Sequence, residues 1–439
     1  MSNKKTFPMG GIHPDKYKIT SQSPIVDAGI PEFVYIPLKQ HIGKPARIMV
    51  TPGDKVKTGT LLADADGIIS SDIHSSVTGE IVKIDTVENE FGYMETMITI
   101  KTEAVDEYEA DIDASADIVK DISFTNEEIA GRIRRAGLVG MGGAGFPTPV
   151  KTTVPENKKI EYFIINGIEC EPFLTADDRL MVEKAEQIVI GAKIINKLLG
   201  IQNAVIAIDE NKPLAVEILS KITKTYVGVN VQVLKTKYPQ GGEKQLIKAI
   251  TGREVPSGKL PADVGCLVHN VGTVYAVYEA VAKNKPLIER IVTLSGDDCP
   301  NAGNYRVRIG TPASYLIAKT GLPPEKIGEI IFGGPMMGTS AANPQAPVTK
   351  LTSGILLLSD KFTRKLPETD CIRCGKCVEV CPMGLSPYLI TKYAKEGMFA
   401  EAKAISALDC IECGSCAYIC PAKIPLLDYC KLCKIELKK

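Results

Sequence analysis

Short alternations of apolar and polar residues dominate positions 33–102. RIMV, TGTLLA, GEIVKI and MITIKT place apolar side chains at every second position, the period of a half-buried strand. Pro52-Gly53-Asp54 and Thr78-Gly79-Glu80 punctuate these runs as tight turns. Beyond residue 125 the period changes. NEEIAGRIRRAGLVG has the spacing of an amphipathic helix, while KIEYFIING, NAVIAIDE and VNVQVLKT are apolar runs suited to buried strands, separated by helical patterns around 178–199 and 212–223. That alternation predicts an α/β layer. RIVTLSG, NYRVRIGTP, SYLIAKTG and KIGEIIFGGPMMG then return to a small β pattern. PYLITKYAKEGMFAEAKAISALD, rich in Ala and helically spaced, predicts a helical last segment.

A chain of 439 residues suits about three domains, and the patterns divide it further. Residues 1–32 read as an arm with little periodicity. Residues 33–117 hold a β module and an acidic stretch, EAVDEYEADIDASAD, that reads as a solvated linker. Residues 118–288 form the α/β layer, 289–360 a β-grasp-like module and 361–439 the helical end. The β module looks like the barrel–sandwich hybrid of biotinyl and lipoyl domains, with GDKVKTGTLLA and IHSSVTGEIVKI as its matching halves. The hairpin tip, DADGIISSDIHSS, lacks the modifiable Lys of those carriers, so it reads as a scaffold. The 289–360 module resembles the soluble-ligand-binding β-grasp.

Charge and composition narrow the function. Fifty-two basic and 52 acidic side chains balance, no Lys/Arg run stands out and Trp is absent, which argues against nucleic acid. No apolar run reaches the roughly 18–20 residues of a membrane span, and the N-terminus has no signal-peptide core. The expectation is a chain without its own span, free in the cytosol or held on a membrane by partners.

Thirteen Cys change the picture, because ten of them follow residue 370. CIRCGKCVEVCP and CIECGSCAYICP form an internal repeat of C-x2-C-x2-C-x3-C-P. Three Cys on a sharp loop supply three corners of a cubane, and the fourth, followed by Pro, ligates the other cluster in two-cluster ferredoxins. The expectation is two 4Fe–4S clusters, one on Cys371, Cys374, Cys377 and Cys420, the other on Cys410, Cys413, Cys416 and Cys381. Zinc pairs two C-x2-C knuckles and needs neither the third Cys nor the Pro. Cys430 and Cys433 read as free thiols, and Cys170, Cys266 and Cys299 as core residues.

Gly140-Met141-Gly142-Gly143-Ala144-Gly145 matches G-x-G-x-x-G as a string, but a helix rather than a strand is predicted before it, so the dinucleotide reading fails its context test. Such a loop still presents backbone N–H groups to a phosphate or a flavin edge. The segments GMGGAGFPTPVK, NGIECEP, YPQGGEKQL and HNVGTV, in this order, resemble the flavin segments of the NADH-binding subunit of respiratory complex I over roughly residues 125–285. That resemblance implies FMN contacts from Gly140, Gly142, Lys151, Asn166, Glu169, Tyr238, Gly241, Glu243, Asn270 and Thr273. It also implies that Phe146 stacks on the nicotinamide and that Glu171 and Glu243 meet the NADH sugar. The chain departs from that pattern at Ile168, Gly242 and Leu260, where the relatives carry Asp, an acid and Phe.

With the N-terminal GGIHP, the barrel–sandwich and the paired Cys motifs, essentially the whole chain resembles the C subunits of Rnf complexes, membrane-bound ferredoxin:NAD oxidoreductases that move sodium ions or protons. The resemblance implies a peripheral subunit on the cytoplasmic face of the membrane, with FMN, two 4Fe–4S clusters and NAD(H) as substrate. Its implied partners are the iron–sulfur B subunit and membrane-embedded subunits. A soluble diaphorase serving a cobalamin or proline reductase, and an electron relay without nucleotide turnover, are the alternative readings.

Overall fold

The computed structural model describes residues 4–89, 92–154, 158–341, 343–363 and 366–438. In the β module, Phe33–Pro37, Met94–Thr102, Gly79–Glu88 and Lys55–Val56 form one sheet, and Arg47–Ile48, Leu61–Asp64 and Ile73–His74 another. The period-2 pattern sets the register. Val34 pairs with Ile100, Ile36 with Ile98 and Ile81 with Ile100, and these apolar side chains are buried together.

The α/β layer is a four-stranded parallel sheet in the order Val229–Leu234, Ala204–Asp209, Tyr162–Gly167, Cys266–Asn270. One face packs on the helices Asn126–Arg135, Ala185–Leu199 and Val271–Lys283, the other on Glu243–Thr251. The helix Asn126–Arg135 begins where its sequence says it should. Thr125 accepts the Glu128 N–H, Glu128 reaches back to the Thr125 N–H, and acids open the helix while arginines close it. The helical pattern around 178–199 is two helices, Ala176–Glu183 and Ala185–Leu199, parted at Lys184, whose backbone leaves the helical region. The strand Cys266–Asn270 went unpredicted. Its five residues are too few for periodicity to separate strand from helix.

The third module is a six-stranded mixed sheet, crossed by the helix Ala313–Thr320. Its edge strand, Ile25–Asp27, comes from the N-terminal arm and runs parallel to Gly303–Arg308. This corrects the arm reading: residues 4–27 are woven through the molecule. Lys5 bridges to Leu234, Ile12 to Tyr238, and Phe173 donates to the Lys16 carbonyl. The acidic stretch is likewise not a free solvated loop. Asp106 pairs with Arg308 at 2.5 Å, and Asp113 pairs at 2.6 Å with the buried Lys283, so the carboxylates strap the β module to its neighbours. In the last module the helices Pro387–Lys395, Phe399–Ala404 and Leu426–Glu436 bury Ile390, Ala394, Ala402 and Leu426 around the Cys loops.

Lys350 joins three modules. It is 1% exposed, and its ammonium donates to the carbonyls of Asp72 at 2.6 Å and Gly137 at 2.7 Å. Burial pushes its pKa down from 10.5 to about 7, against the pull of Asp72. Between those values the unfolded chain holds this proton and the folded chain releases it, so stability from this site rises with pH over that window. Lys350→Met should remove the rise: between pH 7 and pH 9 the anaerobic thermal midpoint should gain less in the variant than in the wild type.

Candidate functional site

All four strands of the parallel sheet end on one edge, and there the chain order reverses. The path runs from Tyr162–Gly167 outward through Ala204–Asp209 and Val229–Leu234, then returns to Cys266–Asn270 on the other flank of the first strand. A crevice opens at such a switch point. Asn166 and Asn270 are register partners at this end of the two strands. The Asn166 amide donates to the Gly241 carbonyl at 2.9 Å and accepts the Ile168 N–H at 3.2 Å. Asn270 caps the helix Val271–Lys283 by accepting the Gly272 N–H at 2.8 Å, and its amide donates to Asp177 at 2.7 Å. Two side chains thus tie down the segments that converge on the crevice.

The glycine loop lies over this edge. Gly140 donates to the Phe146 carbonyl at 2.9 Å, and the Met141 N–H donates to the Thr273 hydroxyl at 3.0 Å. A Cβ on Gly142 would stand 2.8 Å from the Asn270 Cβ, whereas one on Gly143 would meet nothing within 4 Å. Gly142, Gly143 and Ala144 are exposed, and among the described residues their N–H groups have no protein acceptor. The preceding element is the helix Asn126–Arg135, so the strand that a dinucleotide fingerprint needs is missing. The short helix Thr148–Thr152 after the loop carries Lys151, which pairs at 2.8 Å with Glu243, the first residue of Glu243–Thr251. Phe146, two positions before that helix, is half-buried.

The acids of the second segment are engaged separately. Glu169, held at φ 42°, accepts the N–H groups of Asp177 at 2.9 Å and Asp178 at 3.1 Å, at the start of Ala176–Glu183. Glu171 accepts the Met336 N–H at 3.0 Å and lies 3.4 Å from the Tyr238 hydroxyl, while Glu243 stays with Lys151. Burial pushes the Glu171 carboxyl up to about 7. Tyr238 is 2% exposed and donates at 2.7 Å to the carbonyl of Cys413.

Three cations that the sequence did not single out hold this arrangement. Lys18 donates to the carbonyls of Glu169 at 2.9 Å and Glu171 at 2.8 Å, and to that of Leu174; burial, with repulsion from Lys212, lowers it to about 8. Lys212, 2% exposed, donates to the Ile168 carbonyl at 2.6 Å. Arg290 reaches from the third module to the Thr352 carbonyl and to the Met141 sulfur under the glycine loop. Each is a lone basic residue without a motif, so no local signal marks it.

The two Cys motifs interleave. Cys381, from the first motif, shares one cavity with Cys410, Cys413 and Cys416 of the second. Backbone N–H groups of Leu385 and Glu412 approach the sulfurs of Cys381 and Cys410 at 3.4 Å each. Cys377 lies within electrostatic reach of Cys371 and Cys420, and Cys371 and Cys374 are exposed on the loop. All thirteen Cys are free thiols, and among the described residues no three His, Cys, Asp or Glu side chains are close enough to share a single ion. A cubane spreads its four ligands around four irons, and Cys381 with the three cysteines of the second motif brings four thiols to one cavity. The crevice suits a flavin on similar grounds: free N–H groups, a loop face without Cβ at Gly143, two oriented amides and a lysine.

Family models match three stretches: the RnfC barrel–sandwich hybrid domain over residues 5–105, the Nuo51 FMN-binding domain over 133–279 and a 4Fe–4S dicluster domain over 364–421. The C subunit of the proton-translocating ferredoxin:NAD⁺ oxidoreductase complex of Clostridium ljungdahlii is 45% identical over 90% of this chain and 86% of its own. The chain belongs to the RnfC family. The C subunit of the Na⁺-translocating ferredoxin:NAD⁺ oxidoreductase complex of Acetobacterium woodii is 40% identical, covering 98% of this chain and 96% of its own. The C subunit of the ion-translocating oxidoreductase complex of Rhodobacter capsulatus is also 40% identical, over 98% and 83%. As the sequence leads one to expect, this RnfC chain has, among the described residues, no helix long and apolar enough to cross a membrane.

Because Gly142 abuts Asn270, Gly142→Trp should abolish flavin binding in this RnfC chain while iron stays at about eight atoms, two cubanes of four. Flavin and iron assays on the anaerobically purified variant check this, and loss of iron would contradict separate modules.

Proposed function

We propose that this RnfC chain exchanges hydride between NAD(H) and FMN at the switch-point crevice and relays single electrons through two 4Fe–4S clusters in series. As a member of its family the chain is an electron-transfer subunit of an oxidoreductase complex, with a flavin domain and a dicluster domain. A nicotinamide trades electrons in pairs and a cubane singly, and flavin chemistry converts between the two.

In this reading Gly140, Gly142, Asn166, Glu169, Gly241, Asn270 and Thr273 shape the flavin bed, with Lys151 and Glu243 at its rim. Tyr238 stands behind that bed. Phe146, Glu171 and Glu243 are the proposed nicotinamide and sugar contacts. Cys381, Cys410, Cys413 and Cys416 hold the inner cluster; Cys371, Cys374, Cys377 and Cys420 hold the outer one. The observation that carries the order is the Tyr238 hydroxyl on the Cys413 carbonyl at 2.7 Å, which joins the flavin segment to the inner ligand loop. Further support comes from Gly414, where an added Cβ would stand 2.8 Å from the Met336 carbonyl, and from Gln245, whose amide approaches Pro382 and Met383. The exposed Cys371 and Cys374 suit an exit toward the B subunit. Membrane-embedded partners at the cytoplasmic face would hold the chain and move the ion, with reduced ferredoxin able to drive the reverse flow.

Anaerobic purification with iron, sulfide and flavin analysis, followed by NADH titration read by absorbance, tests this. NADH should bleach the flavin and then reduce both clusters. In Cys371→Ala, NADH should still reduce flavin and the inner cluster, while electron delivery to the assembled complex is lost. Cys413→Ala should halt electrons at the flavin. Flavin-free protein would leave only the relay reading, and a chain that never sediments with membranes would favour the soluble diaphorase.

A further inference from the structure

Five cysteines, not four, line the inner cavity. Besides Cys381, Cys410, Cys413 and Cys416, Cys430 faces it from the helix Leu426–Glu436. Cys430 lies outside both C-x2-C-x2-C-x3-C-P motifs and is 1% exposed. Its thiol lies within interaction reach of the Cys410 sulfur. The same helix fixes this contact one turn later, where Lys434 donates to the Cys410 carbonyl at 3.1 Å and pairs with Glu412. Cys433, also buried, does not line the cavity. The outer set has no fifth cysteine: the remaining Cys170, Cys266 and Cys299 belong to other modules.

We infer that Cys430 is a positioning residue for electron transfer: its thiol donates an S–H···S hydrogen bond to Cys410 and raises the reduction potential of the inner cluster. The inference rests on the proposed ligand assignment. Four motif thiolates complete the cubane, which leaves Cys430 as a neutral thiol beside an anionic ligand sulfur. In that pair only Cys430 has a proton to give. A donor on a ligand sulfur stabilises the extra negative charge of the reduced cluster, so the potential moves up. With the Glu412 N–H at 3.4 Å, Cys410 then receives two such donors. An inner cluster tuned upward accepts the first electron from the flavin more readily, while the outer potential is untouched.

The test is a redox titration of the whole chain followed by electron paramagnetic resonance, with iron and flavin assays alongside. Cys430→Ala should lower the midpoint of one of the two cluster signals and leave the other signal, the flavin content and about eight irons per chain unchanged. Cys430→Ser, which keeps a donor, should return the midpoint toward the wild type. Cys430→Val keeps the volume without the donor and should shift like Ala, which separates donation from packing. Cys433→Ala should shift nothing. An unchanged midpoint in both Cys430→Ala and Cys430→Val overturns the inference, as does loss of about four irons, which would make Cys430 a ligand. Failure of the ligand assignment is seen separately, as Cys410→Ala retaining all its iron.

Discussion

The approach of the cluster module to the flavin module is set by two residues without side chains. A Cβ on Gly10 would lie 2.5 Å from the Cys381 carbonyl carbon, and one on Gly11 would lie 2.8 Å from the Tyr238 carbonyl oxygen. Both backbones take the positive φ that L side chains resist. With that room, Gly11 donates to Val380 at 2.8 Å while Ile12 exchanges hydrogen bonds with Tyr238. Electron tunnelling falls steeply with separation, so a linker of loose geometry would make a poor relay. The arm is instead a wedge with fixed contacts on both sides.

The same economy governs the polar interior. The chain reversals after Gly167 leave backbone carbonyls facing inward, where each needs a donor. Lys18 and Lys212 supply them, two cations converging on residues 168–174. Nearby Asp177, Asp178 and Glu171 keep carboxyls that burial drives up to about 6, 6 and 7. The site edge therefore holds three carboxyls that burial makes harder to ionise. Carboxyls perturbed in this way cluster at functional sites.

Much of this was legible in the sequence. Period-2 runs announced the β module, its likeness to biotinyl and lipoyl domains the barrel–sandwich form, the alternation of periods the α/β layer, and Cys spacing the 4Fe–4S clusters, since spacing is local and chemically restrictive. Long-range stitching was not legible. Nothing in IVD at 25–27 marks it as an edge strand, because three residues carry no period. The acids at 103–117 look solvated until Arg308 and Lys283 arrive from distant segments. Lys18, Lys212 and Lys350 are ordinary lysines by sequence, and their burial is decided by which carbonyls the fold leaves without donors. Cys430 reads as a spare thiol because a helix, not a motif, aims it.

The borrowed strand also constrains how the molecule is made. Ile25–Asp27 pairs with Gly303–Arg308, and Asn304 reaches the Thr20 carbonyl across 284 positions of chain. On a ribosome adding about 5–20 residues per second, the earlier segment emerges and must wait on the order of tens of seconds for its partner. During that wait its unpaired edge is open to other chains. Residues 20–27 are thus synthesised long before their partner and are among the last to be locked, a latch that closes only after the β-grasp exists.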